Sequence, residues 1–380
     1  MKRIITFLMI VSILSVPCAS AEKVESEIAA YYIDAPEEIT SYVIEDEEFG
    51  SIYVAVPIDV FNSAGFEFGD SLDVEFANGF SLYDIPYYDG YYERVNEPVV
   101  VAYPGYEYVA VCYCSGDSMW DEANLTEGDK VTISLNEKAA YLSRQETMAS
   151  TYSEDYAYYL YDAAVFSNFR AMKGGKLKEN MFFRGASPID DRHLRADIVD
   201  SLISETGIRF VLDLADNEKK IESYGNESPY FRQLIAEGNV ALLSLSAAYR
   251  SDEFKQSLVQ GFLEMMQHEG PYYIHCTEGK DRTGFACMLI EALCDASYEE
   301  IEKDYMITYD NYYGITEETE AEKYTDLKEL RLHDMLWWLT GSDEDVNLSE
   351  ISFKDGAKKY LSDGGMSGNE IEAFIDFLTK

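Results

Sequence analysis

Between residues 271 and 293 the chain passes from a short apolar run to a polar, glycine-containing loop and then to a longer apolar run. Pro271-Tyr272-Tyr273-Ile274 has the residue types of a buried strand, and Phe285, Ala286, Met288, Leu289 and Leu293 suit a helix opening at about Thr283. Two further short apolar runs, Phe210-Val211-Leu212 and Val240-Ala241-Leu242-Leu243, alternate with helical patterns, the mark of an α/β domain. Downstream the pattern is helical. Ser297 with Glu300 and Ser367 with Glu370 have the spacing of capping boxes. Ile371, Phe374, Ile375 and Leu378 fall on one face of the last helix. The expected extent of this domain is 166–380.

At 380 residues the chain is long for one domain, and its 47% hydrophobic content is enough for more than one core. Residues 22–135 read as a small all-β domain, a sandwich or barrel. Leu72, Val74 and Phe76 alternate with acidic residues, and Phe80 and Leu82 resume the alternation after Asn78-Gly79, a hairpin signal. Further strands are expected at Ile52–Val56, Val99–Tyr103, Tyr106–Val111 and Lys130–Leu135. Tyr87, Tyr88, Tyr91, Tyr92, Tyr103, Tyr106 and Tyr108 suit strands that half-bury an amphipathic ring. Grouped as they are, they also offer a surface for a sugar or peptide, but the strand role is the expected one. Residues 136–165 read as a polar, helical connector.

At the N-terminus Lys2 and Arg3 precede a short apolar run from Ile4 to Val16 and the small residues Ala19-Ser20-Ala21, the pattern of a signal peptide cleaved after Ala21. Cys18 as a lipid-bearing residue is the lesser reading, since Pro17 stands before it and Ala19-Ser20-Ala21 offers a cleaner cut. The run is too short to span a bilayer, so a secreted or cell-envelope protein without stable membrane insertion is expected. Residues 1–21 carry two basic and no acidic residues, so their removal takes the formal charge from −41 to −43. Such a surface repels nucleic acid. The remaining cysteines, Cys112, Cys114, Cys276, Cys287 and Cys294, are odd in number and form no disulfide framework. A free reactive thiol outside the cell implies a reducing habitat or tolerance of partial inactivation.

The loop His275-Cys276-Thr277-Glu278-Gly279-Lys280-Asp281-Arg282-Thr283-Gly284 carries the chemistry. Its backbone N–H groups can converge on phosphate oxygens, and the following helix adds its positive end. Gly279 permits a tight turn. Arg282 offers a planar fork for two oxygens, and the same positive surroundings favour the thiolate of Cys276. Cys276 would attack phosphorus, an acid would protonate the leaving oxygen, and water would hydrolyse the phosphocysteine. Thr283 could donate its hydroxyl to the sulfur, and His275 is expected to orient the loop. No metal or other cofactor is needed, and His193, His268, His275 and His333 show no ligand spacing.

This loop resembles that of the protein tyrosine phosphatase superfamily, in particular the bacterial branch reading His-Cys-x2-Gly-Lys-Asp-Arg-Thr-Gly. Asn168-Phe169-Arg170, Phe183-Arg184-Gly185-Ala186 and Leu212-Asp213-Leu214 with Glu218 look like that branch's upstream segments, so the resemblance covers roughly residues 160–315. It implies a mainly parallel sheet flanked by helices, and phosphotyrosine proteins as substrates, with phosphoinositides in some relatives. Many members carry the general acid on a separate mobile loop. In the Lys-Asp-Arg branch the loop aspartate has been given the role, which here is Asp281, with Asp252 in a loop next and Asp213 and Asp216 after it. Asp213 is better explained as a strand-end residue bonded to neighbouring backbone. Lys280 could hold a second phosphate of a phosphoinositide or inositol phosphate, but Glu278 opposes it, and phosphotyrosine is the better match. A non-catalytic phospho-ligand binding module and a sulfur transferase are the remaining alternatives.

Overall fold

The computed structural model describes residues 32–35, 37–46, 49–149, 162–191, 193–225, 228–344 and 346–380. The expected signal peptide and residues 150–161 of the connector lie outside these.

The N-terminal strands are β1 (Tyr32–Ala35), β2 (Glu38–Glu45), β3 (Ile52–Pro57), β4 (Ser71–Phe76), β5 (Ser81–Tyr88), β6 (Pro98–Val101), β7 (Tyr108–Tyr113) and β8 (Lys130–Glu137). They form an eight-stranded sheet in the order β1-β2-β3-β7-β6-β5-β4-β8, which closes on itself through β2–β8. A closed barrel leaves few edges to protect. At the β4–β5 turn the Gly79 N–H donates to Phe76 O (2.9 Å) and the Phe76 N–H to Phe80 O (2.9 Å). Gly79 takes φ +94°, the left-handed position of a three-residue hairpin loop. β2 was not among the expected strands, although its buried Ile39, Ser41 and Val43 alternate with half-buried neighbours. Along β6 and β7, Val100, Val109 and Val111 point into the barrel core, while Val99, Val101, Ala110 and Cys112 form an outer face. That outer face is covered by Tyr53, Tyr91, Tyr92, Tyr106 and Tyr141.

The C-terminal sheet has the order β12-β11-β13-β10-β9, from β9 (Arg170–Ala171), β10 (Phe182–Gly185), β11 (Phe210–Asp213), β12 (Val240–Leu242) and β13 (Tyr272–His275). β10 to β13 are parallel, and β9 pairs antiparallel at the edge. Central β13 is buried at every position, with Tyr272 and Ile274 in one core and Tyr273 in the other. Residues covered on both sides are apolar without alternation. β10 escapes the apolar-run criterion because Arg184 interrupts it. In register, Gly185, His275 and Asp213 lie side by side at the carboxyl ends of three adjacent strands. Both capping boxes form, and Ile371, Phe374, Ile375 and Leu378 are buried. Among the described residues no helix is long and apolar enough to cross a membrane.

The barrel and the α/β unit meet. Val95 and Met148 share the main α/β core, with Tyr92 packed against it. The helix Ala321–Leu327 runs on through a π-helical stretch, Lys328–His333, into Asp334–Thr340. From the π stretch, Arg331 donates to the carbonyls of Tyr91 and Glu93.

Candidate active site

After β13 the chain turns through residues 276–280 into the helix Asp281–Leu293, which starts two residues earlier than the pattern suggested and takes Asp281 and Arg282 into its first turn. Gly279 has φ +67°, and a Cβ there would lie 2.1 Å from the Gly185 carbonyl oxygen. The loop can therefore approach β10 only as glycine.

Four successive loop carbonyls, 276 to 279, are each engaged by a hydrogen bond. Cys276 O accepts from His275 Nδ1 (3.1 Å), and Thr277 O from the Ser187 N–H (3.0 Å). Glu278 O accepts from the Tyr312 hydroxyl (2.5 Å). Gly279 O accepts from Asn168 Nδ2 (3.2 Å) and Arg184 Nη2 (3.0 Å). Since C=O and N–H of a trans peptide point opposite ways, carbonyls drawn outward turn the N–H groups inward, making an anion-binding concavity. Cys276 sits at its base, 3% exposed. Arg282 is oriented by bonds to Leu245 O (2.9 Å) and Thr277 Oγ1 (3.2 Å). Thr283 Oγ1 is buried and makes no hydrogen bond among the described residues.

Asn168-Phe169-Arg170 and Phe183-Arg184-Gly185 thus act on the loop directly. Behind it, Asp304 bridges Arg170 Nε (2.8 Å) and Arg184 Nη1 (2.5 Å). Asn168 is held in turn by Arg170, Thr308 and Asn311. Asp304, Thr308, Asn311 and Tyr312, all on the helix Tyr298–Tyr313, were not anticipated. The signal that marks them is a polar stripe at 304, 308 and 311, helical spacing on a face that is otherwise apolar.

Lys280 is not the free second cation that the sequence allowed. Its Nζ lies 3.3 Å from Glu278 Oε2, 3.8 Å from Asp281 Oδ2 and 3.3 Å from the Tyr313 hydroxyl. Burial opposes its charge, but Asp281, Tyr313 and Glu278 outweigh burial and keep it protonated. Glu278 also faces His193 Nε2 at 3.1 Å. The Asp281 side chain is 57% exposed. Asp252 opens the helix Asp252–Met265 rather than lying in a loop, and its exposed carboxylate pairs with Lys255 at 3.0 Å.

Asp213 and Asp216 lie beneath the loop. Asp213 Oδ1 accepts from the N–H groups of Ala215 (2.9 Å) and Asp216 (3.1 Å), the strand-end role expected for it. Burial pushes Asp213 up to about 6, and burial and then Asp213 push Asp216 up to about 7. His275 is lowered to about 4, chiefly by burial, and is neutral at physiological pH. Its Nδ1 faces a carbonyl, which can only accept, so the proton sits on Nδ1 and Nε2 faces Asp213 Oδ2 at 3.8 Å.

A carboxyl with a raised folded-state pKa binds more protons folded than unfolded, so its contribution to stability falls as pH rises from about 4 to about 7. Asp216→Asn, which keeps an acceptor for the Tyr224 hydroxyl (3.2 Å), is expected to stabilise the protein at pH 8 by on the order of 2 kcal/mol and to change little at pH 4. Urea melts at the two pH values decide this; equal destabilisation at both would contradict it.

Strand, loop and helix together place Cys276 and Arg282 on one strand–loop–helix unit. A family model described as the tyrosine phosphatase family matches residues 166–380, more than half of the chain, and the chain belongs to that family. Among solved structures, the chain is similar to an uncharacterized conserved protein from Thermotoga maritima at 18% identity and TM-score 0.24, over 26% of this chain and 37% of that one. It is also similar to the core catalytic domain of PP-IP phosphatase SIW14 from S. cerevisiae, in complex with citrate, at 16% identity and TM-score 0.27, over 43% of this chain and 85% of that one. The chain thus spans little more than a third of the first of these structures. No match was found among curated proteins. Family membership supports phosphatase activity.

Proposed function

We propose that the chain is a metal-independent phosphomonoesterase acting through a phosphocysteine, with protein phosphotyrosine as its substrate. The observation that carries this reading is the loop whose carbonyls 276–279 are all tied outward, with Cys276 at its base and Arg282 beside it. The inward N–H groups and Arg282 hold the phosphoryl oxygens. The Cys276 thiolate forms a bond to phosphorus as the bond to the ester oxygen breaks, and Asp281 gives that oxygen its proton. Water then attacks the phosphocysteine, its proton returns to Asp281, and the thiolate leaves with help from the Thr283 hydroxyl. The engagement of Lys280 by Glu278 favours an ester with one phosphate over a polyphosphorylated inositol. The signal-peptide pattern of residues 1–21 supports action outside the cytoplasm.

A panel of phosphotyrosine peptide, phosphoserine peptide, phosphoinositides and inositol hexakisphosphate tests the reading with the mature protein. Turnover of the phosphotyrosine peptide above the others is expected, and hydrolysis of none of them would refute it. Asp281→Asn is expected to lower kcat/KM, which reports phosphoryl transfer to Cys276, by about 10²-fold or more on a phenyl ester while barely changing it on an ester with a very acidic leaving group. Equal losses on both esters would remove Asp281 from the acid's role.

A further inference from the structure

The tyrosines of the barrel do more than cover its outer face. Tyr103-Pro104-Gly105-Tyr106 is a turn closed by the Tyr106 N–H on Tyr103 O (3.0 Å), with Gly105 at φ +94°, the arrangement of a type II turn with proline ahead of glycine. The turn sets the Tyr103 and Tyr106 rings 5.5 Å apart. Tyr91 packs 5.7 Å from Tyr103, and its hydroxyl meets that of Tyr106 at 3.0 Å. Tyr53 braces Tyr106 edge-on at 5.8 Å. In this braced group Tyr103 is 43% exposed, an unusual exposure for a ring so firmly supported.

The group lies on the side of the barrel that meets the α/β unit, where Tyr92 packs against the main core. Arg331, bonded to the carbonyls of Tyr91 and Glu93, pins the tyrosine-bearing segment to the α/β unit and lies within the field of Asp281. The Tyr103 hydroxyl is within electrostatic reach of Lys280, Glu278 and Asp281, and that of Tyr92 within reach of Lys280. We propose that Tyr103, braced by Tyr91 and Tyr106, forms an aromatic ledge at the mouth of the phosphate loop that receives the organic portion of an aryl phosphomonoester, the phosphotyrosyl ring and its adjoining peptide. The barrel thereby supplies part of the substrate site. A phosphate loop recognises only the phosphoryl group, so discrimination among esters must come from the surface against which the rest of the substrate lies. A tyrosine ring offers broad contact area at small entropic cost. The paired state of Lys280 leaves that surface without a spare cation from this residue, which suits an uncharged ring.

The inference rests on the phosphotyrosine reading, and its test is arranged to fail separately. In a Cys276→Ser background, calorimetry compares a phosphotyrosine peptide with inorganic phosphate. Tyr103→Ala is expected to weaken the peptide by about fivefold without moving phosphate affinity, and Tyr103→Phe to restore the peptide. Unchanged peptide affinity in Tyr103→Ala, or equal loss for peptide and phosphate, overturns the ledge. A thermal melt matching the parent confirms that the exposed residue was removed without disturbing the fold. Should the otherwise unsubstituted protein hydrolyse no ester, the phosphatase reading falls, and the binding comparison still decides the ledge.

Discussion

Cys276→Ser is expected to lower kcat on an aryl phosphate by about 10³-fold or more, while inorganic phosphate still binds. A serine hydroxyl fits the space of the thiol at the buried base of the loop, so neither β13 nor the loop has reason to move. It is not ionised near neutral pH, however, and the adjacent imidazole is turned away from it: His275 presents Nδ1–H to Cys276 O and Nε2 to Asp213. On the proposed reading phosphate is held by inward N–H groups and by Arg282, whose bonds to Leu245 O and Thr277 Oγ1 the substitution leaves in place. Steady-state kinetics, phosphate calorimetry and a thermal melt of the same preparation separate these effects. Activity within tenfold of the parent would exclude a phosphocysteine.

Asp304→Ala is expected to cost about 3–5 kcal/mol of stability and to weaken phosphate binding as well. Asp304 is the shared partner of Arg170 and Arg184, and Arg184 is 1% exposed. Removing the carboxylate takes from two buried guanidinium groups the anion that both of them bond. Arg184 also holds Gly279 O, so its displacement loosens the carbonyl whose outward fix shapes the loop. Burial disfavours the Asp304 charge, but Arg170 and Arg184 prevail and hold its carboxyl below the ordinary range. Because the folded-state pKa is depressed, this contribution is present in full above about pH 4 and is lost as pH falls further. Glu291, buried beside it, is pushed the other way, first by burial and then by Asp304. Urea melts of Asp304→Ala and Asp304→Asn against pH, with phosphate calorimetry, provide the check. A midpoint equal to the parent's at pH 7 would deny the network its structural weight.

Local order was legible wherever a short span of chain carries its own explanation. The Phe76–Phe80 hairpin follows from Asn78-Gly79, and the capping boxes at Ser297 and Ser367 form as spaced. β11, β12 and β13 fall on the apolar runs. β10 and β2 were missed, the one because a buried arginine breaks its pattern and the other because its alternation mixes serine with isoleucine and valine. Asp252 looked like a loop residue because Ser251, the cap that starts its helix, is followed by acidic residues rather than by an apolar one.

The ten residues from His275 to Gly284 were enough by themselves to predict the strand–loop–helix unit that forms, with Cys276 and Arg282 on either side of its turn. Spacing within one loop is a local property, and only Gly279 satisfies the approach to Gly185 that it requires. Tertiary structure alone decided what surrounds that loop. Asn168, Arg184 and Tyr312 reach it from distant parts of the chain, Lys280 turns to Glu278 and Tyr313, and Arg331 ties Tyr91 of the barrel to the α/β unit. A charge or an aromatic ring takes its meaning from the partner that folding sets against it, and periodicity along the chain carries no record of that partner.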